Sequence, residues 1–143
     1  MRIPTRTRYG LRAMVEIATG YPDKPISLRQ VAKKQSLSIK YLEQLITPLK
    51  TAELVRSIRG VHGGYLIAKP PAEISLFEIY LALDGSVALV DCVANNNRCP
   101  HQDSCTTQPL WAEMSDALEK ILKSKSIASL LEEMSQKRDV ANN

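Results

Sequence analysis

The sequence predicts a mainly α fold with a small β-hairpin wing: a winged helix-turn-helix followed by a long C-terminal dimerisation helix. Three observations predict it. Amphipathic helical patterns fill the first fifty residues, a glycine-rich hairpin pattern follows, and the basic residues gather in that same half. Residues 1–70 hold 13 Lys/Arg against 4 Asp/Glu, whereas residues 71–143 hold 6 against 11. A basic half joined to an acidic half implies that the first half meets a polyanion. A merely solvated basic face is the plain alternative.

Element by element, Leu11, Met14, Val15 and Ala18 recur at helical spacing from Arg6 to Thr19, and Gly20 with Pro22 stops that helix. Ser27 is an N-cap for a short helix carrying Leu28, Val31 and Ala32 on one face, and Gln35 to Leu37 break the pattern. Ser38 caps a third helix with the stripe Leu42, Leu45, Ile46 and Leu49, and Pro48 is expected to kink or tighten its last turn. Leu54–Ile58 and Tyr65–Ala68 read as strands joined through Gly60, Gly63 and Gly64. Pro70-Pro71 closes this unit. Ser75 caps a helix with Leu76, Ile79, Tyr80 and Leu83 facing inward. Residues 84–109 show no sustained periodicity and include the polar run Asn95–Asn97; a loop of ~25 residues in a compact chain is unusual and is commonly functional or disordered. From Pro109 to Lys125 a long helix carries Leu110, Trp111, Met114, Leu118, Ile121 and Leu122 on a broad stripe, and Ser126 caps a short last helix before a frayed tail from Gln136. The expected domains are residues 1–83 for the winged helix-turn-helix, 84–108 for a cysteine loop, 109–135 for dimerisation helices and 136–143 for a flexible tail.

At 143 residues and 44% hydrophobic content the chain is long enough to bury a real core. Its longest apolar stretches fall short of the ~18 residues of a membrane span, and its start has basic groups without the apolar run of a secretory signal. The three cysteines fall between positions 92 and 105. An odd, clustered set is a poor disulfide framework and points to a reducing cytoplasm, with metal binding or redox sensing as its use.

Three helices and a hairpin in a basic half imply DNA binding, with the helix starting near Ser38 in the major groove. Its outward residues are Ser38, Lys40, Tyr41, Glu43 and Gln44. Gln44 suits an adenine edge, Lys40 a phosphate or guanine, and Tyr41 and Ser38 phosphate oxygens. Glu43 repels phosphate, so it accepts from a cytosine amino group or excludes wrong sequences. In the hairpin, Arg56, Arg59, Gly60, His62 and Gly63 are the candidates, with Arg59 at the tip suited to the minor groove. The alternative is that the glycines only make a tight turn.

The cysteine pattern is Cys92-x6-Cys99-x5-Cys105. Zinc knuckles favour tighter spacing. Three thiolates and one further ligand suit an iron–sulfur cluster, because thiolates are soft donors. Free thiols, zinc and redox disulfides remain open on spacing alone. Trp111 and Met114 read as dimer-seam residues, with Leu118 and Ile121, rather than as a cofactor box.

Thr5–Ala13, Ser38–Leu45, Val55–Gly60, Gly63–Leu66 and the cysteine triplet together resemble the iron–sulfur cluster regulator (IscR) type of winged-helix transcription regulator, whose relatives include NsrR and CymR. The resemblance covers roughly residues 1–135. It implies a bacterial homodimer that binds pseudo-palindromic promoters and holds a cluster, 2Fe–2S ahead of 4Fe–4S, on Cys92, Cys99 and Cys105. The chain departs from that type in a first cysteine gap longer by one residue and in Gln108, where the type has its histidine ligand. His101, Asp103 and Gln108 are therefore the candidates for a fourth ligand, and a solvated loop histidine is the plain reading of His101. Some NsrR-type proteins use an acidic residue of the partner's first helix, where this chain has Arg6 and Arg8. The expected function is a regulator sensing cluster, redox or nitric oxide status. A cluster-free thiol or metabolite-responsive repressor is the alternative within the fold. A small redox or metal enzyme is the alternative outside it, and the sequence offers no Ser/His/Asp set, P-loop or dinucleotide fingerprint to support one.

Overall fold

The computed structural model describes residues 2–95 and 99–143, so Asn96 and Asn97 of the polar run lie outside it. Seven helices and a two-stranded antiparallel sheet follow in the order α1 (Thr5–Ala18), α2 (Leu28–Gln35), α3 (Ile39–Thr51), β1 (Val55–Ile58), β2 (Gly64–Ile67), α4 (Leu76–Asp84), α5 (Asp91–Ala94), α6 (Gln108–Ser124) and α7 (Ile127–Ala141). This is the mainly helical, small-hairpin architecture the sequence predicts.

The ends of these helices form where short polar side chains replace missing backbone partners. Ser27 and Gln30 cap α2 reciprocally, Ser38 Oγ accepts from Tyr41 N at 3.1 Å to start α3, and Ser75 with Glu78 makes a second capping box at α4. Partial burial works against ionisation of Glu78, but bonds from Lys69 and from the Ser75 N–H and hydroxyl outweigh it and hold the carboxyl below its ordinary range. Ser36, in the left-handed region at φ 54°, turns the chain between α2 and α3. α3 runs a turn beyond Pro48, and the Thr47 and Thr51 hydroxyls donate to the Glu43 and Thr47 carbonyls.

The core sits where α1 crosses its neighbours. Ala13, Met14 and Ile17 of α1 are fully buried with Val31, Leu42, Leu45, Leu49, Ile67 and Ile79. Leu11 and Val15, expected on the inner stripe, are only half-buried and flank this core. The polar groups that α1 carries inward are partnered. Thr7 Oγ1 donates to Asp84 Oδ2 at the end of α4. Buried Glu16 accepts from Lys34 Nζ at 3.0 Å and from Gln35 Nε2 at 3.1 Å. Gln35 Oε1 in turn accepts from Arg12 Nε at 2.6 Å, so both Lys34 and Gln35 tie the end of α2 to α1.

The hairpin pairs Val55 with Ile67 and Ile58 with Gly64. It is also joined to the rest of the chain, since Ile26 and Tyr65 exchange two backbone bonds of 2.9 and 2.8 Å. Gly64, at φ 155°, lies so near this junction that a Cβ there would stand 2.6 Å from the Ile26 carbonyl oxygen. A side chain at this position would push the wing off its base.

Two stretches differ from the sequence prediction. The cysteine loop holds the four-residue helix α5 and a short 3-10 turn at Gln102–Ser104; elements this short leave no periodicity to read. The last helix does not fray at Gln136 but continues to Ala141. Residues 135–141 contain neither glycine nor proline, and α7 lies along α1, so nothing local ends it before Asn142. A backbone pairing sets its start: Leu76 N donates to the Lys125 carbonyl and Ile127 N to the Ile74 carbonyl, both at 3.0 Å. Ile74 and Ile127 are both fully buried at this junction. Ile127→Ala should therefore cost about 2–5 kcal/mol of stability, measured as a fall in the urea midpoint; a loss comparable to an exposed substitution would show that α7 does not seal this core.

Candidate nucleic-acid interface and cysteine segment

α3 presents its apolar stripe inward, with Leu42, Leu45, Ile46 and Leu49 buried. Helical geometry then leaves Lys40, Glu43, Gln44, Thr47 and Lys50 on the solvent side, and all five are exposed. Glu43, Thr47 and Lys50 line a cleft of about 490 Å³ whose far wall is Tyr65 of the wing. Gln44 and Thr47 line another with Arg6 of α1. Thr47 and Lys50 continue the row that the sequence prediction ends at Gln44; their i+4 and i+7 spacing from Glu43 was the available signal.

Of the predicted reader residues, Ser38 is committed to capping and remains exposed, so its hydroxyl serves the helix first. Tyr41 is half-buried. Its ring meets that of Tyr9 edge-on, with centroids 6.1 Å apart and planes at 85°. Arg12 and Arg8 lie over the Tyr9 ring at 5.3 and 5.7 Å. Tyr41 thus packs the start of α3 against α1.

On the wing, Arg56, Arg59, Gly60 and His62 are exposed and Gly63 is half-buried. Gly60 has φ 118° and no atom within 4 Å of a Cβ built there, so the tip is open to an approaching surface. The arrangement brings a row of donors and acceptors on one helix beside a projecting basic hairpin, the geometry of groove and backbone contact.

The cysteines lie on the other side of α4 in the chain. Cys92 is in α5, Cys99 precedes the 3-10 turn and Cys105 follows it; all three are half-buried free thiols. Among the described residues no three His, Cys, Asp or Glu side chains converge as a metal-binding group. The thiols are therefore the right donors for a cluster by chemistry but are not gathered by position. His101 and Asp103 are exposed, whereas Gln108 is half-buried and begins α6. Cys105 Sγ lies 3.5 Å from Thr107 Oγ1, and this contact, with the backbone N–H groups of Thr107 and Gln108, holds its thiol below the ordinary cysteine range. Leu89 N donates to Ser115 Oγ at 3.1 Å, fastening the approach to this segment onto α6.

α6 buries only Ser115. Leu110, Met114 and Ile121 are 48%, 38% and 53% exposed, and Trp111 and Leu118 are half-buried. Trp111 and Met114 share a cleft of about 510 Å³ with Tyr80, Asp84 and Arg2. Burial, and then the Asp84 carboxylate, push the Tyr80 hydroxyl above its ordinary range.

The family described as "Iron-dependent Transcriptional regulator", Rrf2, matches residues 3–133 of this chain. The chain belongs to the Rrf2 family. It is 35% identical to protein rrf2 of Nitratidesulfovibrio vulgaris over 94% of its own length and 90% of that protein's. It is 36% identical to the regulator IscR of Photorhabdus laumondii over 92% and 79%. Among solved structures it is similar to CymR, the global cysteine regulator of Bacillus subtilis, with a TM-score of 0.76 at 35% identity, covering 92% of this chain and 97% of that one. The chain is an Rrf2-type transcription regulator and not an enzyme, and regulators of this family bind DNA. Among the described residues no helix is long and apolar enough to cross a membrane.

A thiol held below its ordinary range is deprotonated, and hence reactive, from a lower pH upward. Iodoacetamide labelling of Cys105, followed by mass spectrometry across pH, should show a midpoint below that of a free cysteine; a midpoint at or above the free value would remove the Thr107 contact as its cause.

Proposed function

We propose that this Rrf2 regulator acts as a homodimer in the cytoplasm, reads promoter DNA with α3 and the wing, and senses iron–sulfur or redox status through its cysteine segment. The observation that carries the reading is the exposed row Lys40–Glu43–Gln44–Thr47–Lys50 beside the basic wing tip at Arg59. Gln44 faces outward with a free amide suited to an adenine edge, and Lys40 and Lys50 are placed for phosphate. Glu43 stands between them as a filter against sequences that offer it no amino group. Arg56, Arg59 and His62 supply cationic or donor groups along the wing, and the open backbone at Gly60 lets the tip approach a groove closely.

Dimer formation is supported by the apolar face of α6, where Trp111, Met114, Leu118 and Ile121 lie along one side and leave a patch that a second copy would cover. Cys92, Cys99 and Cys105 would hold the cluster, with His101, Asp103 or Gln108 completing the set. The group would supply reversible one-electron and ligand-exchange chemistry. The chain's own part is to lower the Cys105 thiol below its ordinary range through Thr107, to position Gln108 at the first turn of α6, and to tie the segment to α6 through Ser115. Any ordering of residues 92–108 is then felt at the helix that carries the dimer face.

The second reading, a thiol-responsive regulator without a cluster, is favoured by one observation: three half-buried free thiols that do not converge. Anaerobic purification with iron and sulfide analysis separates the two, since the cluster reading requires both elements in stoichiometric amount. Replacing all three cysteines by alanine should abolish any difference in promoter affinity between anaerobically and aerobically prepared protein; an undiminished difference would refute sensing by this segment. For the reader, Arg59→Ala should weaken specific duplex binding by about 1–3 kcal/mol at fixed salt. An unchanged Kd by fluorescence anisotropy would remove Arg59 from the interface.

A further inference from the structure

A groove of about 440 Å³ runs between α1 and α7, away from both the reader row and the cysteine segment. Its volume is within the ~300–1,000 Å³ of small-molecule sites. α7 lines it with residues 130, 133, 134, 137, 138 and 141, one continuous helical face. At 1.5 Å per residue that face is about 16 Å long, so the groove suits an extended molecule rather than a compact ring. Its floor is aliphatic and thioether: Leu11 and Val15 of α1, and Leu130 and Met134 of α7. Leu11, Val15 and Leu130 are packed against the core on one flank, and the groove exposes the other.

The rim is cationic. Arg12 stands on the α1 side and Lys137 and Arg138 on the α7 side. Among the described residues none of the three pairs with a carboxylate. Arg12 donates only to Gln35, at 2.6 Å to its side chain. Two acidic residues also border the groove. Glu16 is buried and already bonded through both oxygens to Lys34 and Gln35, so its charge is compensated. Glu133 is exposed and leaves the cations in excess.

We propose that this groove binds an aliphatic carboxylate, the hydrocarbon chain lying on Leu11, Val15, Leu130 and Met134 and the carboxylate meeting Arg12, Lys137 and Arg138. An extended chain matches the length and the absence of aromatic lining. A terminal anion matches a rim whose cations, among the described residues, pair with no carboxylate, and guanidinium groups bond carboxylates in a fork. The bound chain bridges α7 to α1 and meets Arg12 beside the residue that ends α2.

Isothermal titration of the full chain with decanoate, below the concentration at which it aggregates, tests this. Decanoate should saturate at one per chain. Decan-1-ol, which has the same tail without the charge, should bind about tenfold or more weakly, as should decanoate to the double variant Lys137→Glu/Arg138→Glu, since a charge-assisted bond is worth at least that factor. Both substituted residues are exposed, and circular dichroism checks that the variant keeps its helices. Met134→Glu, which puts a charge on the floor, should weaken decanoate further. Absence of saturable binding overturns the proposal. So does equal affinity for the alcohol, or for the double variant, since either means partition onto an apolar surface. Affinity that rises on dilution overturns it as well, because a second copy then occupies the groove.

Discussion

Burial of α1 on most of its circumference is the constraint on which the remaining packing depends. α2, α3, α4, α7 and β2 all lie against this one helix. Crossings that close need small residues, and Gly10 supplies one: a Cβ there would stand 2.3 Å from a methyl of Leu83. They also need every inward polar group answered, because an unpaired buried group costs about 1–3 kcal/mol. Thr7 is answered by Asp84 and Glu16 by Lys34 and Gln35. Among the described residues no buried side-chain polar atom lacks a partner. These pairings fix the angle at which α2 and α4 leave α1, and so fix where α3 and the wing point.

The same packing joins the cysteine segment to α1. The segment begins where α4 ends, at Asp84, the residue that Thr7 binds. It is fastened to α6 through Ser115, and α6 packs on α4. The segment is thus joined to α1 through α4 by packed side chains and single hydrogen bonds.

The reader half was legible in the sequence because its signals are local. Serine caps, a four-residue apolar stripe on α3 and three clustered glycines each act within a few positions. Leu42, Leu45, Ile46 and Leu49 occupy the face their spacing predicts. Signals that depend on distant partners were not legible. Tyr41 looks like an outward donor until Tyr9 is seen against it. Glu16 looks like one acid in a basic helix until α2 closes over it. The extent of α7 is decided by its contact with α1, and no residue near Gln136 announces or forbids it. Cysteine spacing named the three thiols but not their separation, which is set by short elements, with Cys92 in a four-residue helix and Cys99 and Cys105 on either side of a 3-10 turn.

The backbone pairing of Ile74 with Ile127 has a consequence for how such a regulator is built. The strap before α4 and the start of α7 complete one apolar surface, so the DNA-reading portion is not a detachable cartridge. A chain cut after α4 would expose Ile74 and the outer flank of α1 to water. New sensory behaviour in this architecture is therefore easier to gain by altering the stretch between α4 and α6, whose ends are both held, than by exchanging whole modules at a linker.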